Sequence, residues 1–429
     1  MKNQPSVIRA WCMYDWANSV YSLVITSAIF PVYYQAVAKG ADGSDVISFF
    51  GLEVINSVLY SYALSFSFLV TAVILPILSG MADYGGKKKK YLRFFVILGS
   101  SACVGMFFFE SHNVEWGIIC SVLASIGYSA GLVFYDAFLP EIVDEDGFDK
   151  TSAKGYSYGY VGSVILLVIN ILMIEMYDSF GFANQGVATR FSFLLVGLWW
   201  FGFSQVTFYF VPENPTHKDD KVNIFTSGYL ELRKVWIDIR DSPNIKKYLV
   251  AYFFSNMGVQ TVMYLAATFG AKELQMESSK LIITVLLIQL VAIVGANYFA
   301  RLSRIKGNVF SLIAMNIIWV GICISAYLVT KEVEFYILAT VVGLVMGGIQ
   351  ALSRATYAKL IPETTLDHAS YFSFYDIMFN ISVVLGTFSY GLIEQITGSM
   401  RNSTIALGIF FVISIFFLRF VKVQHSIRS

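Results

Sequence analysis

Charge is what this sequence has least of. Only 14% of its 429 residues are Asp, Glu, Lys or Arg, against 56% hydrophobic, and its mean hydropathy is +0.64. Soluble domains carry roughly 25% charged residues, so an ordinary soluble enzyme is excluded. The net charge is +1, which leaves no basic surplus for nucleic acid. Cysteine is scarce as well. Cys12, Cys103, Cys120 and Cys323 are scattered and show neither metal-ligand spacing nor a disulfide framework. The four histidines, His112, His217, His368 and His425, fall in loops or the tail, and no helix-borne His-Glu pair marks an intramembrane metalloenzyme. No nucleotide loop is present. Met81 stands where a phosphate loop ending in Gly86-Lys87 needs its first glycine, which argues against an ATP-driven pump. The acidic run Asp144 to Asp149 fails as a calcium loop, because Gly155 occupies the twelfth position, and reads as a solvated loop. No small-residue cleavage site follows a short apolar core, so the first apolar segment is itself expected to target the membrane. No motif calls for a cofactor.

Long apolar runs are there in abundance. Spanning a bilayer takes about 20 apolar residues, and twelve segments qualify. Six lie at residues 11–36, 57–80, 91–109, 116–138, 156–177 and 188–211, and six at 248–270, 280–300, 308–329, 335–357, 369–396 and 403–421. With the N-terminus placed inside, 24 of the 30 basic residues fall on the inner side. Only Lys39, Arg190, Lys272, Lys280, Lys331 and Arg401 remain outside. That bias is the positive-inside pattern and puts both termini in the cytoplasm.

The chain also repeats itself. Tyr135, Leu139, Pro140 and Glu141 recur as Tyr357, Ile361, Pro362 and Glu363, and Tyr14 and Asn18 recur as Tyr252 and Asn256. The expected architecture is an all-α integral membrane protein of two pseudo-symmetric six-helix halves, residues 1–211 and 248–429. A cytoplasmic linker, 212–247, joins them. In it Tyr229, Leu232, Val235, Trp236 and Ile239 recur at amphipathic helical spacing.

Several segments carry polar stripes. At 100° per residue Asp15, Asn18, Ser22 and Thr26 share a face of the first segment. Asn256 and Gln260 do so in the seventh, and Asp376 and Asn380 in the eleventh. Tyr160, Gln289 and Gln350 add polar groups from the fifth, eighth and tenth. A carboxylate inside a membrane is a functional candidate by default. Asp15 and Asp376 fit proton coupling or the binding of a substrate amino group. A purely structural role, satisfied by Asn, Ser and Tyr partners, stays open for both. Asp15 lies near the inner end of its helix, which suits a gate or a structural tie. No basic residue is placed at mid-membrane. Arg190 and Arg354 read as helix-edge residues.

Leu78 to Lys88 joins the second and third segments through Gly80, Asp83, Gly86, Lys87 and Lys88. A glycine-rich turn lets helices approach closely, and the lysines suit an anionic leaflet. This stretch resembles the signature loop of the major facilitator superfamily, with Ser79 in place of the first glycine and Tyr84 in place of a basic residue. Tyr14-Asp15-Trp16-Ala17-Asn18-Ser19, Ala82 to Gly86 and Gly155 to Tyr160 resemble the vacuole-effluxer-like branch of permeases. The resemblance implies alternating-access transport of a small polar solute, amino acids first, with protons as a candidate coupling ion. It also implies that Asp83 docks on the start of the eleventh helix, near Ala369 to Phe372. The expected protein is a monomeric multi-pass permease without enzymatic activity, in a bacterial inner membrane first and an organelle membrane as the alternative. A drug or sugar exporter of the same fold and a non-transporting membrane sensor are the alternatives. The sensor is disfavoured because no extra soluble domain is visible.

Overall fold

The computed structural model describes residues 2–40, 43–213, 224–397 and 399–423. His217, Lys218, Lys221, His425 and Arg428 lie outside them. Among the described residues twelve helices are long and apolar enough to cross a membrane, as expected. The first half holds α1 (Pro5–Val37), α2 (Asn56–Gly85), α3 (Lys88–Gly105), α4 (Val114–Asp136), α5 (Phe148–Glu175) and α6 (Gln185–Phe210). The linker helix α7 (Ile224–Asp241) follows. The second half holds α8 (Pro243–Glu273), α9 (Ser278–Lys306), α10 (Asn308–Leu328), α11 (Glu332–Leu360), α12 (His368–Thr397) and α13 (Met400–Leu418). The even number of spans brings both ends of the chain to one side, called here the terminal end.

The helices sort lipid from protein by periodicity. On α2, Tyr62, Phe66, Leu69 and Val73 are exposed, while Ala63, Ser67, Thr71 and Leu75 are buried. Small residues on the buried stripe let neighbours approach, and Ser67 Oγ donates to Ser125 Oγ of α4 at 2.7 Å. The halves meet where α5 packs on α9 and α11, and where α12 packs on α2 and α4.

Three local features differ from the sequence expectation. First, α1 is not a uniform α-helix. Tyr21–Ile29 winds as a π-helix just before Pro31. Proline has no N–H to offer the carbonyl of Ser27 and its ring crowds it. Ser27 Oγ instead donates to Ser22 O, five residues back, at 2.9 Å. A wider turn breaks the 100° face reading, so Asp15 and Thr26 do not share one surface. Second, several helices start earlier or end later than their apolar cores. α5 begins at Phe148 and α11 runs to Leu360, which takes Asp149, Ser152 and Lys359 into the membrane-spanning rods. Asp149 is therefore buried, not part of a solvated loop. Third, the α1–α2 connection forms a hairpin, β1 (Val46–Phe49) with β2 (Leu52–Ile55), turning on Phe50 and Gly51, both at positive φ.

The linker helix is amphipathic as expected, but its apolar side meets protein. Val235 and Ile239 are buried, and Gly228 sits against Gly80 of α2. A Cβ on Gly80 would lie 2.2 Å from Gly228 O, so only glycine permits the crossing. Tyr229 and Trp236 remain exposed.

Candidate functional site

The two halves are tied together at the terminal end. At the centre of the tie is Arg354 of α11, 1% exposed at its side chain. Its Nη1 donates to Asp136 Oδ1 at 3.0 Å, its Nη2 to Asp15 Oδ2 at 3.3 Å, and its Nε to Ser152 Oγ at 2.9 Å. Tyr135 Oη donates to Asp15 Oδ2 at 2.7 Å, and Ser152 Oγ to Ala351 O at 2.7 Å. The guanidinium also lies over the rings of Tyr156, Trp11 and Tyr135, at 4.3, 4.8 and 5.5 Å from their centroids. A buried arginine needs this many partners, because each unmet donor in a low-dielectric site is costly. Gly155 makes room for it. A Cβ there would stand 2.3 Å from Asp15 Oδ2 and 3.0 Å from Arg354 Nη2. The next turn of α5 repeats the device, with Gly159 against Ser19 Oγ of α1.

Two further ties flank it. Asp149 of α5 accepts Ser303 Oγ, Asn308 Nδ2 and Lys359 Nζ, each at 2.8 Å, from three helices of the second half. Asp83 accepts the backbone N–H groups of Ala369 and Ser370 at 3.2 and 2.7 Å. That is the docking on the start of α12 that the loop resemblance implied, and the helix dipole there favours an acid. Lys88 Nζ holds Asp83 at 3.2 Å and Glu141 at 2.5 Å. The linker adds Lys234 Nζ to Asp367 at 2.7 Å, a bond that holds the lysine's pKa above its ordinary value.

Above these ties lies a central cavity of about 70 Å³. Asn256, Gln260, Gln350 and Asp376, all anticipated, line it. Asp136, Tyr156, Tyr252 and Tyr375 join them. Tyr160 Oη donates to Gln350 Oε1 at 2.6 Å across the halves, and Asn380 Nδ2 donates to Asp376 Oδ2 at 2.6 Å. Toward the other end the halves part around a mouth of about 360 Å³. Thr26, Ser27, Tyr60, Ser61, Tyr264 and Gln289 line it, and among the described residues no charged side chain does. None of the inter-half bonds described above lies beyond Tyr160–Gln350.

The anticipated residues thus separate. Asn256, Gln260, Gln350 and Asp376 share the central cavity. Tyr160 and Asn380 back it, and Thr26 and Gln289 face the mouth. Asp15 belongs to the tie. Asn18 and Ser22 line neither space, because the π-turn rotates them away from Thr26. Sequence reasoning missed Asp136 and took Arg354 for an edge residue. The available signal was a charged residue ending each of two corresponding segments, the fourth and the tenth.

A family description, vacuole effluxer Atg22 like, matches residues 3–429. The chain belongs to this Atg22-like family. An uncharacterized MFS-type transporter of Bacillus subtilis, YxiO, is 31% identical over 99% of this chain and 97% of its own. Autophagy-related protein 22 of Kluyveromyces lactis is 26% identical, covering 86% of this chain and 80% of that one. The fold is also that of solved transporters. FucP, a major facilitator superfamily transporter captured in the outward conformation, superposes with a TM-score of 0.71 at 13% identity, covering 98% and 99% of the two chains. The human organic anion transporter MFSD10 reaches 0.76 at 11% identity, covering 97% and 100%. This Atg22-like chain is therefore an MFS-type membrane transporter, not an enzyme.

Proposed function

We propose that the protein moves a small polar solute, amino acids first, by alternating access around the central cavity. The halves, residues 1–211 and 248–429, are taken to rock about it, with 212–247 as the connecting linker. The reading is carried by one observation: a cavity walled by Asn, Gln, Tyr and Asp side chains of both halves, tied shut on one side and widening on the other. The basic residues concentrate at the tied end, which supports a cytoplasmic location for it and an outward-facing state for this conformer. A bacterial inner membrane fits the Bacillus relative. Amide and hydroxyl groups recognise a polar solute through directed bonds, and no lysine or arginine lines the cavity to favour a phosphorylated cargo. Asp376 has an amide partner, Asn380, and no ion pair among the described residues, so it is the carboxylate best suited to take up a proton or a cargo amine.

The test is uptake of labelled amino acids into proteoliposomes, with and without a pH gradient. Gradient-driven uptake that is lost in Asp376→Asn supports both cargo class and coupling. Full gradient-dependent transport in both Asp15→Asn and Asp376→Asn would reject proton coupling through these acids.

A further inference from the structure

Asp136 belongs to two structures at once. Its Oδ1 accepts Arg354 Nη1 in the inter-half tie, and its side chain, 13% exposed, also forms part of the cavity wall. Asp15 and Arg354 form no part of that wall. The tie is not charge-balanced: two carboxylates share one guanidinium. Asp376 adds a second carboxylate to the same wall, from the other half, and its partner is an amide. Three tyrosines line the cavity with them, and Tyr252 and Tyr375 stack with centroids 4.1 Å apart. Two carboxylates and tyrosine rings, with no lysine or arginine among the described lining residues, form a surface that prefers a positively charged nitrogen.

Resting on the transport reading above, we infer that the cargo carries an ammonium group, which seats between Asp136 and Asp376 and releases the inter-half tie by competing with Arg354 for Asp136. The second oxygen of Asp136 gives the ammonium a place to arrive while Arg354 is still bound. Two cations on one carboxylate then repel each other in a site with little water to screen them. Arg354 keeps Asp15 and Ser152 but loses most of its hold on Asp136, so the halves separate at the terminal end. Cargo binding and opening of that end are linked in both directions. The ammonium binds more tightly once Arg354 has left, and that difference in affinity drives the change. A solute without a cationic nitrogen has no such leverage. The uncharged mouth admits the ammonium without holding it, since no acid there competes.

The experiment uses the full chain in lipid nanodiscs, with spin labels at Lys90 and Arg304. Both are exposed at the terminal end, one in each half. The inter-label distance distribution is recorded with ethanolamine, putrescine, L-serine, L-lactate or glycerol. At least one amine-bearing probe is expected to raise the separated population several-fold, with L-lactate and glycerol leaving it unchanged. In Asp136→Asn the separated population is expected to be high without any probe, and the amine is expected to add less than twofold. A response to L-lactate or glycerol as large as to the amines overturns the inference. So does the absence of response to every amine, or an Asp136→Asn protein that responds as the wild type does. The wild-type arms decide the matter even if that variant does not fold. Glycerol or L-lactate uptake by proteoliposomes whose tie ignores amines would reject this inference and leave the transporter reading standing.

Discussion

Replacing Arg354 by Gln removes the cation on which two buried carboxylates depend. In this conformer Arg354 donates to Asp15, Asp136 and Ser152, and all three belong to the other half. Breaking a buried ion pair from one side costs about 3–5 kcal/mol, because it strands the remaining charge. Protonation of the freed carboxylates softens the loss, so about 3 kcal/mol is the working figure. In the opposite conformer these groups part into water and have no such bond to lose. The cost therefore falls on the tied state alone and shifts the equilibrium between conformers by roughly a hundredfold. The assay is the distance distribution between labels at Lys90 and Arg304 without added solute. Arg354→Gln is expected to move most molecules to the separated state. Arg354→Lys should fall between, since a lysine supplies charge but not the forked donors that reach Asp15 and Asp136 together. A tied population equal in wild type and Arg354→Gln would refute the reasoning.

Four other outcomes follow from the same geometry. Gly155→Ala puts a methyl group 2.3 Å from Asp15 Oδ2, so the tie should not close, and labels at Lys90 and Arg304 should report separation although no charge has changed. Asp83→Asn keeps the shape but removes the charge at the start of α12 and leaves Lys88 with Glu141 alone. A destabilisation of about 1 kcal/mol in thermal unfolding is expected. For the linker, Lys234→Ala should cost less than about 1 kcal/mol because its side chain is more than half exposed. Gly228→Leu should instead unseat α7 from Gly80 and expose the helix to proteolysis.

Much of this was legible in the sequence, and the reasons are physical. Apolar length, charge bias and the internal repeat gave twelve spans in two halves, because the bilayer constrains each of them directly. Asp83 could be assigned its dock on α12 from the resemblance of its loop. Asn256, Gln260, Gln350 and Asp376 could be recognised because polar groups in lipid-spanning helices must face protein or water. Asp15 was legible as an important acid and as a candidate gate or structural tie, but its partner was not. Its partner Arg354 lies 339 residues away, and its helical face reading passed through a π-turn that no composition rule announces. Asp136 and Asp149 were obscured by a different cause. Asp149 closes an acidic run, where an exposed loop is the simplest reading, and Asp136 sits near the inner end of the fourth segment; only the packing of the two halves buries them.

The central claim is that transport requires the terminal end to open and close. A disulfide between Ser152→Cys and Ala351→Cys tests it most directly, because both residues are buried where α5 packs on α11 and Ser152 Oγ donates to Ala351 O across the halves. Solute uptake by the oxidised double variant in proteoliposomes should stop and return on reduction, while each single variant is indifferent to oxidant. Unabated uptake by the fully cross-linked protein would contradict the account.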